Sequence, residues 1–79
     1  MFYHLIKLLK MDFEQFDTVI LTVPLSNKKV RVGSLGAIVE ILDKNVFLIE
    51  FADKNGVAYA IEVLQAQQIL KVYEEPVLV

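Results

Sequence analysis

The sequence has no cysteine, no tryptophan, one histidine, three glycines and two prolines among 79 residues. Without cysteine the chain has neither a disulfide framework nor a thiolate metal site. The single histidine, His4, excludes a multi-histidine metal site and a histidine-based nucleophile relay within one chain. Gly33 and Gly36 precede a strand rather than a helix, so no phosphate-binding glycine loop is predicted. We therefore expect no metal, no cofactor and no enzymatic activity.

The chain is short and apolar, with hydrophobic residues making up 56% of it. At roughly 1.5 kcal/mol of ordering entropy per residue, a domain of this size is marginally stable without a partner. Eight Lys and Arg against ten Asp and Glu give a net charge of −2, the wrong sign for a protein that mainly neutralises phosphates. These properties are typical of a small cytoplasmic domain and disfavour a dedicated nucleic-acid-binding protein.

Residues 1–15 are predicted to form an amino-terminal helical extension with one apolar side. Lys7 and Lys10 interrupt the apolar stretch, which excludes a secretory signal, and the stretch is too short for a membrane span. The side opposite the apolar residues carries His4, both lysines and Glu14. The apolar residues recur at three- and four-residue spacing, as an amphipathic helix requires. They are Phe2, Leu5, Ile6, Leu9, Phe13 and Phe16.

From Asp17 onward, short β-branched and aromatic runs separated by polar turns predict a mainly β fold. Asn55-Gly56 is the strongest hairpin turn, because this pair readily adopts positive φ. Residues 16–79 are therefore predicted to form a small SH3-like β-barrel, whose closure hides the edges of a flat sheet. One helical turn is expected at about 65–69, before the last strand. The five antiparallel strands are expected at 18–23, 36–42, 46–52, 57–63 and 70–73.

Alternation along the strands predicts which side chains fill the barrel. The inward set is Val19, Leu21, Val23, Ala37, Val39, Ile41, Phe47, Ile49, Phe51, Val57, Tyr59, Ile61 and Val63. The side chains predicted to point outward are also apolar, although a solvent-facing strand surface is normally polar. They are Ile20, Ile38, Leu42, Leu48 and Leu64. Either the amino-terminal helix or a second chain is expected to cover this surface. The candidate partner-binding residues are therefore Ile38, Leu42, Leu48, Leu5 and Leu9.

Two glycines punctuate the stretch Val32-Gly33-Ser34-Leu35-Gly36-Ala37-Ile38-Val39-Glu40-Ile41, as at the second strand of KOW and other SH3-like modules. At Gly36 we expect a close approach that a side chain would obstruct. Together with 16–22, 49–51, 56–60 and 66–70, this stretch resembles the bacterial domain of unknown function 4926 family, over about 16–76. Arg31-Val32-Gly33-Ser34 departs slightly from that family's usual pattern of a basic residue before Gly-Asp or Gly-Gln. The resemblance implies an SH3-like barrel without established activity, often encoded beside another small gene as toxin and antitoxin pairs are.

Two charged groups are further candidates for binding. Lys28, Lys29 and Arg31 form a basic loop that could bind phosphate or RNA, although exposed aromatic platforms are not predicted beside it. Glu40, Glu50 and Glu62 are expected to share the outer face of the sheet, where they could hold a hard cation or meet a partner's basic residues.

Our first hypothesis is a non-catalytic protein-interaction module, the antitoxin-like or regulatory member of a two-gene pair. Its partner is expected to be another protein or a second copy, in a heteromeric pair or a homo-oligomer. The alternative is an RNA- or ribosome-associated SH3/KOW-like module that uses the basic loop. A hydrolase or toxin-like nuclease ranks third, because the acid, base and phosphate-binding residues are not assembled.

Overall fold

The computed structural model describes residues 12–72, which contain five antiparallel strands in one sheet. The order across the sheet is β4-β3-β2-β1-β5, so β1 pairs with both β2 and β5. The mainly β prediction is confirmed, and no predicted strand boundary differs from the observed one by more than two residues. The strands are β1 (Thr18–Leu21), β2 (Leu35–Asp43), β3 (Val46–Ala52), β4 (Ala58–Gln65) and β5 (Ile69–Lys71), with a 3-10 turn at Ala66–Gln68.

Within residues 12–72 the sheet has two edges, because β4 and β5 are not paired with each other. The pairing thus confirms a five-stranded antiparallel sheet but not a closed barrel. The predicted amino-terminal helix lies mostly outside the described residues. Where the two overlap, 12–14 have no regular secondary structure, and a turn begins at Gln15.

The two hairpin connections, β2–β3 and β3–β4, are held by aspartate carboxylates that accept hydrogen bonds from backbone N–H groups. Between β3 and β4, Asp53 Oδ1 accepts from Asn55 N at 2.8 Å and from Val57 N at 3.0 Å. Gly56 has a φ of +80°, which glycine adopts without a β-carbon clash. The predicted hairpin at Asn55-Gly56 is therefore confirmed, but of this pair only Gly56 adopts the expected positive φ. Between β2 and β3, Lys44 N donates to Asp43 Oδ1 at 2.7 Å.

The segment before β1 is fastened to β2, β3 and β5. Phe16 N donates to the carbonyl oxygen of Ile38 at 2.6 Å, which extends the pairing of β1 with β2. The Phe13 ring packs against Phe47 with ring centroids 5.1 Å apart. Lys71 Nζ lies 3.1 Å from Asp17 Oδ2, so an ion pair joins β5 to the start of β1. Residues 12–17 are thereby part of the folded domain.

The core is formed by one face of the sheet, here called the inner face, together with Val30 from the loop between β1 and β2. Phe51 lies at the centre of this face, paired with Gly36 on one side and Ala60 on the other. A β-carbon on Gly36 would lie 2.9 Å from Phe51 Cε1 and 2.7 Å from Ile49 Cγ2. The expected close approach at Gly36 is therefore confirmed. The buried core residues are Val19, Leu21, Val30, Ile38, Phe47, Ile49, Phe51, Leu64 and Ile69.

The predicted side-chain directions are confirmed for Val19 and Leu21 on β1 and for the three buried residues of β3. They are wrong for β4 and for the first half of β2. A register shift between Ile38 and Glu40 then places Ile41 opposite Phe47, on the predicted inner face. Ile38 is fully buried opposite Ile49, whereas Ala37 lies opposite Glu50 on the other face. The reversed side-chain directions follow from the sizes of the side chains that meet on the inner face. The large rings of Phe47 and Phe51 fill the space in front of the neighbouring strands, and small residues on β2 and β4 accommodate Phe51 there. The outward prediction for Leu64 is also wrong, because Leu64 is buried. In and just before β4, four residues predicted to be buried are instead exposed: Val57, Tyr59, Ile61 and Val63.

Candidate interaction surface

The face of the sheet opposite the core, here called the outer face, carries three rows of side chains defined by strand pairing. In the first row, Ile20 lies between Leu70 of β5 and Leu35 of β2. The second row runs across four strands and the third across three. The second row contains Thr18, Ala37, Glu50 and Ile61, and the third contains Glu40, Leu48 and Val63.

Four aliphatic side chains of the outer face are more than half exposed: Leu35 (55%), Leu70 (52%), Ile61 (57%) and Val63 (58%). Ile20 is half-buried between Leu35 and Leu70, and Leu48 is half-buried beside Val63, so the exposed residues form two aliphatic clusters on this face. Exposed apolar clusters of this kind are typical of a protein–protein contact. The outer face is therefore the candidate interaction surface.

The charges on the outer face are all acidic. Glu40 lies opposite Leu48, and Glu50 lies between Ala37 and Ile61. The lysines and the arginine of residues 12–72 lie elsewhere, in the connections between strands or in β5. A partner that complements this surface needs apolar groups for the aliphatic rows and a basic group for the two carboxylates.

The structure separates the residues predicted to bind a partner. The placement of Ile38 on this surface is wrong, because its side chain is buried against Ile49 on the inner face. Leu48 lies on the outer face and is half-buried, and Leu42 is exposed near the end of β2. Leu5 and Leu9 lie outside the described residues.

The largest part of the exposed apolar surface comes from residues that the sequence analysis assigned to the core or did not single out. Ile61 and Val63 were predicted to point inward with the other β-branched residues of β4. Ala60, which alternates with them, carries the information that would have reversed this prediction. A small residue on a strand beside Phe51 indicates the side that accommodates the ring.

The basic loop lies in the connection between β1 and β2, with Lys28, Lys29 and Arg31 all exposed. Its backbone is ordered by Asn27 and Ser34. Lys29 N donates to Asn27 Oδ1 at 3.0 Å, and Arg31 N donates to Ser34 Oγ at 3.1 Å. The three cations are thus presented on a defined turn, apart from the apolar rows of the outer face.

The three glutamates do not share one face. Glu40 and Glu50 lie on the outer face, but Glu62 pairs with Ile49 on the inner face and accepts a hydrogen bond from Asn27 Nδ2 at 2.8 Å. The prediction that Glu62 points outward is therefore wrong. Among residues 12–72, no group of three or more acidic or histidine side chains is placed to hold a metal ion. In the same part of the chain, no helix is long and apolar enough to span a membrane.

Residues 15–71 match the model of a family described as "Domain of unknown function (DUF4926)". The match begins in the turn before β1 and ends at the last residue of β5, so it covers the whole sheet. No match was found among curated proteins or among solved structures.

Proposed function

We propose that this chain, which belongs to the DUF4926 family of domains of unknown function, is a non-catalytic protein-interaction module. Its binding surface is the outer face of the sheet. The observation that carries the proposal is the row arrangement of Leu35, Leu70, Ile61 and Val63, all exposed on one face. Apolar area in contact with water costs about 25 cal/mol per Å². A partner that covers these rows therefore stabilises both itself and this small domain.

The partner is a protein segment in which apolar side chains alternate with lysine or arginine. Its apolar residues pack on the aliphatic rows, and its basic residues reach Glu40 and Glu50. Of these carboxylates Glu40 is exposed and Glu50 is half-buried, so a charge pair at Glu50 is less screened than one on an open surface. They select a basic partner and reject an acidic one, because like charges brought together on binding are unfavourable.

The finer features of the proposal follow from the fold and the family. We place the sheet in the SH3-like barrel class, supported by the pairing of β1 with both β2 and β5 and by the 3-10 turn before β5. The resemblance stated above supports a bacterial, cytoplasmic protein that acts as the antitoxin-like or regulatory member of a two-gene pair. The partner is then the product of the adjacent gene.

The test is to co-express the full chain with the product of the adjacent gene and to measure the affinity of the purified pair by calorimetry. Leu35→Ser and Glu50→Lys are each expected to raise the dissociation constant about tenfold or more, since tenfold corresponds to about 1.4 kcal/mol. Both positions lie on the outer face, away from the buried core. Circular dichroism must show that each variant keeps its β structure.

The matched control is the double variant Lys28→Ala, Lys29→Ala, which removes two exposed cations of the basic loop. This variant is expected to bind the partner as the unchanged chain does. An RNA-binding module gives the opposite pattern. In that case the loop variant abolishes binding, the affinity falls steeply with salt, and Leu35→Ser has no effect. That pattern contradicts the proposed function.

A further inference from the structure

The connection between β3 and β4 contains the one Asn-Gly pair of the sequence, Asn55-Gly56. Both residues are exposed. Asparagine is thermolabile in proteins because the backbone nitrogen of the next residue can attack its side-chain amide. Glycine in that next position hinders the attack least, since it has no β-carbon. Asn55 is therefore the asparagine of this chain with the highest intrinsic tendency to deamidate.

The folded turn restrains the nitrogen that would attack. Gly56 N–H donates a hydrogen bond to the carbonyl oxygen of Asp53 at 2.9 Å. Attack on the side chain requires this nitrogen to lose its proton, and the hydrogen bond to Asp53 opposes that loss. The Asp53 carboxylate fixes the same turn, because its Oδ1 accepts from Asn55 N and Val57 N. In the closed turn, Asp53 thus protects Asn55 from deamidation.

The turn can open without unfolding of the domain. The hydrogen bonds that Asp53 Oδ1 accepts are exposed to water. Ala52, Val57 and Ala58, which flank the turn, are exposed as well, so opening uncovers no buried side chain. The pairing of β3 with β4 is also irregular just before the turn, between Phe51 and Ala52. Segments with exposed hydrogen bonds and few buried contacts open at a much lower free energy than the whole domain.

We propose that Asn55 deamidates spontaneously in the folded domain through local opening of this turn, and that Asp53 controls the rate. In the opened turn, Gly56 N loses its proton to hydroxide and attacks Cγ of Asn55. The new bond between them closes a five-membered succinimide ring, and the bond from Cγ to the side-chain nitrogen breaks. That nitrogen takes a proton from water, which regenerates hydroxide, and leaves as ammonia.

Water then opens the ring at one of its two carbonyl carbons. Cleavage between Cγ and Gly56 N gives aspartate at position 55. Cleavage between the original backbone carbonyl carbon and Gly56 N gives isoaspartate, in which the main chain runs through the side chain of residue 55. No oxidant or reductant takes part, because the overall change is the replacement of an amide by a carboxylate with water consumed and ammonia released.

The product changes the connection between β3 and β4. Isoaspartate adds one atom to the main chain of a tight turn, so the hydrogen bond between Gly56 N and the Asp53 carbonyl loses its geometry. One neutral amide also becomes one carboxylate, which changes the formal net charge from −2 to −3 and places the new charge near Asp53. The reaction needs only this chain and water, so the inference does not rest on the proposed function.

The test is to incubate the full chain in mildly alkaline buffer and to follow each asparagine by peptide mapping with mass spectrometry. Chromatography separates the aspartate and isoaspartate peptides. Asn45 is the matched internal control, because it is exposed in the connection between β2 and β3 but is followed by the β-branched Val46. Asn55 is expected to give both products while Asn45 stays unchanged. If Asn55 in the folded chain stays unchanged while the urea-unfolded chain is largely converted, the proposal is wrong.

Variants of Asp53 test its control of the rate. Asp53→Ala removes both hydrogen bonds of the carboxylate and is expected to speed deamidation of Asn55 about tenfold. Asp53→Asn keeps an acceptor oxygen and is expected to give a smaller increase. Circular dichroism checks that each variant is folded, and Asp53→Asn is the second readout if Asp53→Ala is not. An unchanged rate in the folded variants contradicts the proposal.

Leu64→Val distinguishes local opening from global unfolding. Leu64 is buried on the inner face, so this substitution lowers the stability of the whole domain without a change in the turn. Deamidation of Asn55 through local opening is expected to keep the rate of the unchanged chain. An acceleration as large as that expected for Asp53→Ala means that the reaction requires global unfolding, and this result overturns the proposal.

Discussion

Asn27 donates a hydrogen bond from Nδ2 to Oε2 of Glu62 at 2.8 Å, and this bond fastens the loop between β1 and β2 to β4. The same asparagine organises the turn that follows it. Its Oδ1 accepts from Lys29 N at 3.0 Å, and its carbonyl oxygen accepts from Val30 N at 3.2 Å. Val30 is buried in the core. The contact with Glu62 therefore positions a core residue that lies outside every strand.

We predict that the Asn27–Glu62 bond contributes about 1 kcal/mol to the free energy of unfolding. Asn27→Ala, Glu62→Ala and the double variant form a cycle that isolates this contact from the turn bonds that Asn27 also makes. Urea denaturation of the four proteins measures the coupling. Glu62→Gln keeps an acceptor oxygen and is the conservative control, with a smaller expected loss than Glu62→Ala. Additive losses in the cycle contradict the prediction.

We predict that Gly36→Ala lowers the free energy of unfolding by about 1–3 kcal/mol, because the added methyl group overpacks the core. The atoms that it meets, Ile49 Cγ2 and Phe51 Cε1, belong to fully buried side chains with little room to move. Ala52→Val, which adds methyl groups at an exposed position on β3, is the control and is expected to change the stability little. An unchanged urea midpoint for Gly36→Ala contradicts the prediction.

The number, order and approximate bounds of the strands could be predicted from the sequence because turns and β-branched runs are local features. Asp53 and Gly56 determine the hairpin between β3 and β4 through bonds and angles within a few residues. The faces of β3 could be predicted as well. Phe47, Ile49 and Phe51 alternate with less bulky or charged neighbours, and they are buried as expected.

The faces of β2 and β4 could not be predicted by alternation alone, because both of their faces are apolar. The choice between Ala37 and Ile38 depends on pairing with Ile49, and the choice between Val63 and Leu64 depends on pairing with Phe47, both on the neighbouring strand β3. That is a non-local contact. The existence of an apolar outer face was therefore predictable from surplus hydrophobicity, as were Ile20 and Leu48, whereas its exposed residues on β4 were not.

We predict that Phe16→Gly raises the free energy of unfolding by about 0.5–1 kcal/mol. Phe16 has a φ of +73°, a conformation that costs a non-glycine residue energy and glycine little. Its side chain is 73% exposed, so little burial is lost on substitution. Thermal unfolding measures the change. Phe16→Ala, which removes the ring but keeps the β-carbon, is the control and is expected to give no gain. An equal gain for both variants shows that the ring, not the backbone angle, is the cause.

Leu64 and Val63 are adjacent on β4 and test the observed faces directly. Leu64 is buried on the inner face and Val63 is exposed on the outer face. We predict that Leu64→Ala lowers the free energy of unfolding by about 2–4 kcal/mol, because it leaves a cavity in the core. Val63→Ala is expected to cost about 0.5 kcal/mol or less.

The measurement is urea denaturation followed by circular dichroism. A loss of this size approaches the whole stability of a domain this small. Leu64→Val, which removes less volume, therefore keeps the comparison measurable if Leu64→Ala does not fold. A larger loss of stability for Val63→Ala than for Leu64→Ala means that Val63, and not Leu64, points into the core. In that case Ile61 and Val63 belong to the core, and the outer face described above does not exist in solution.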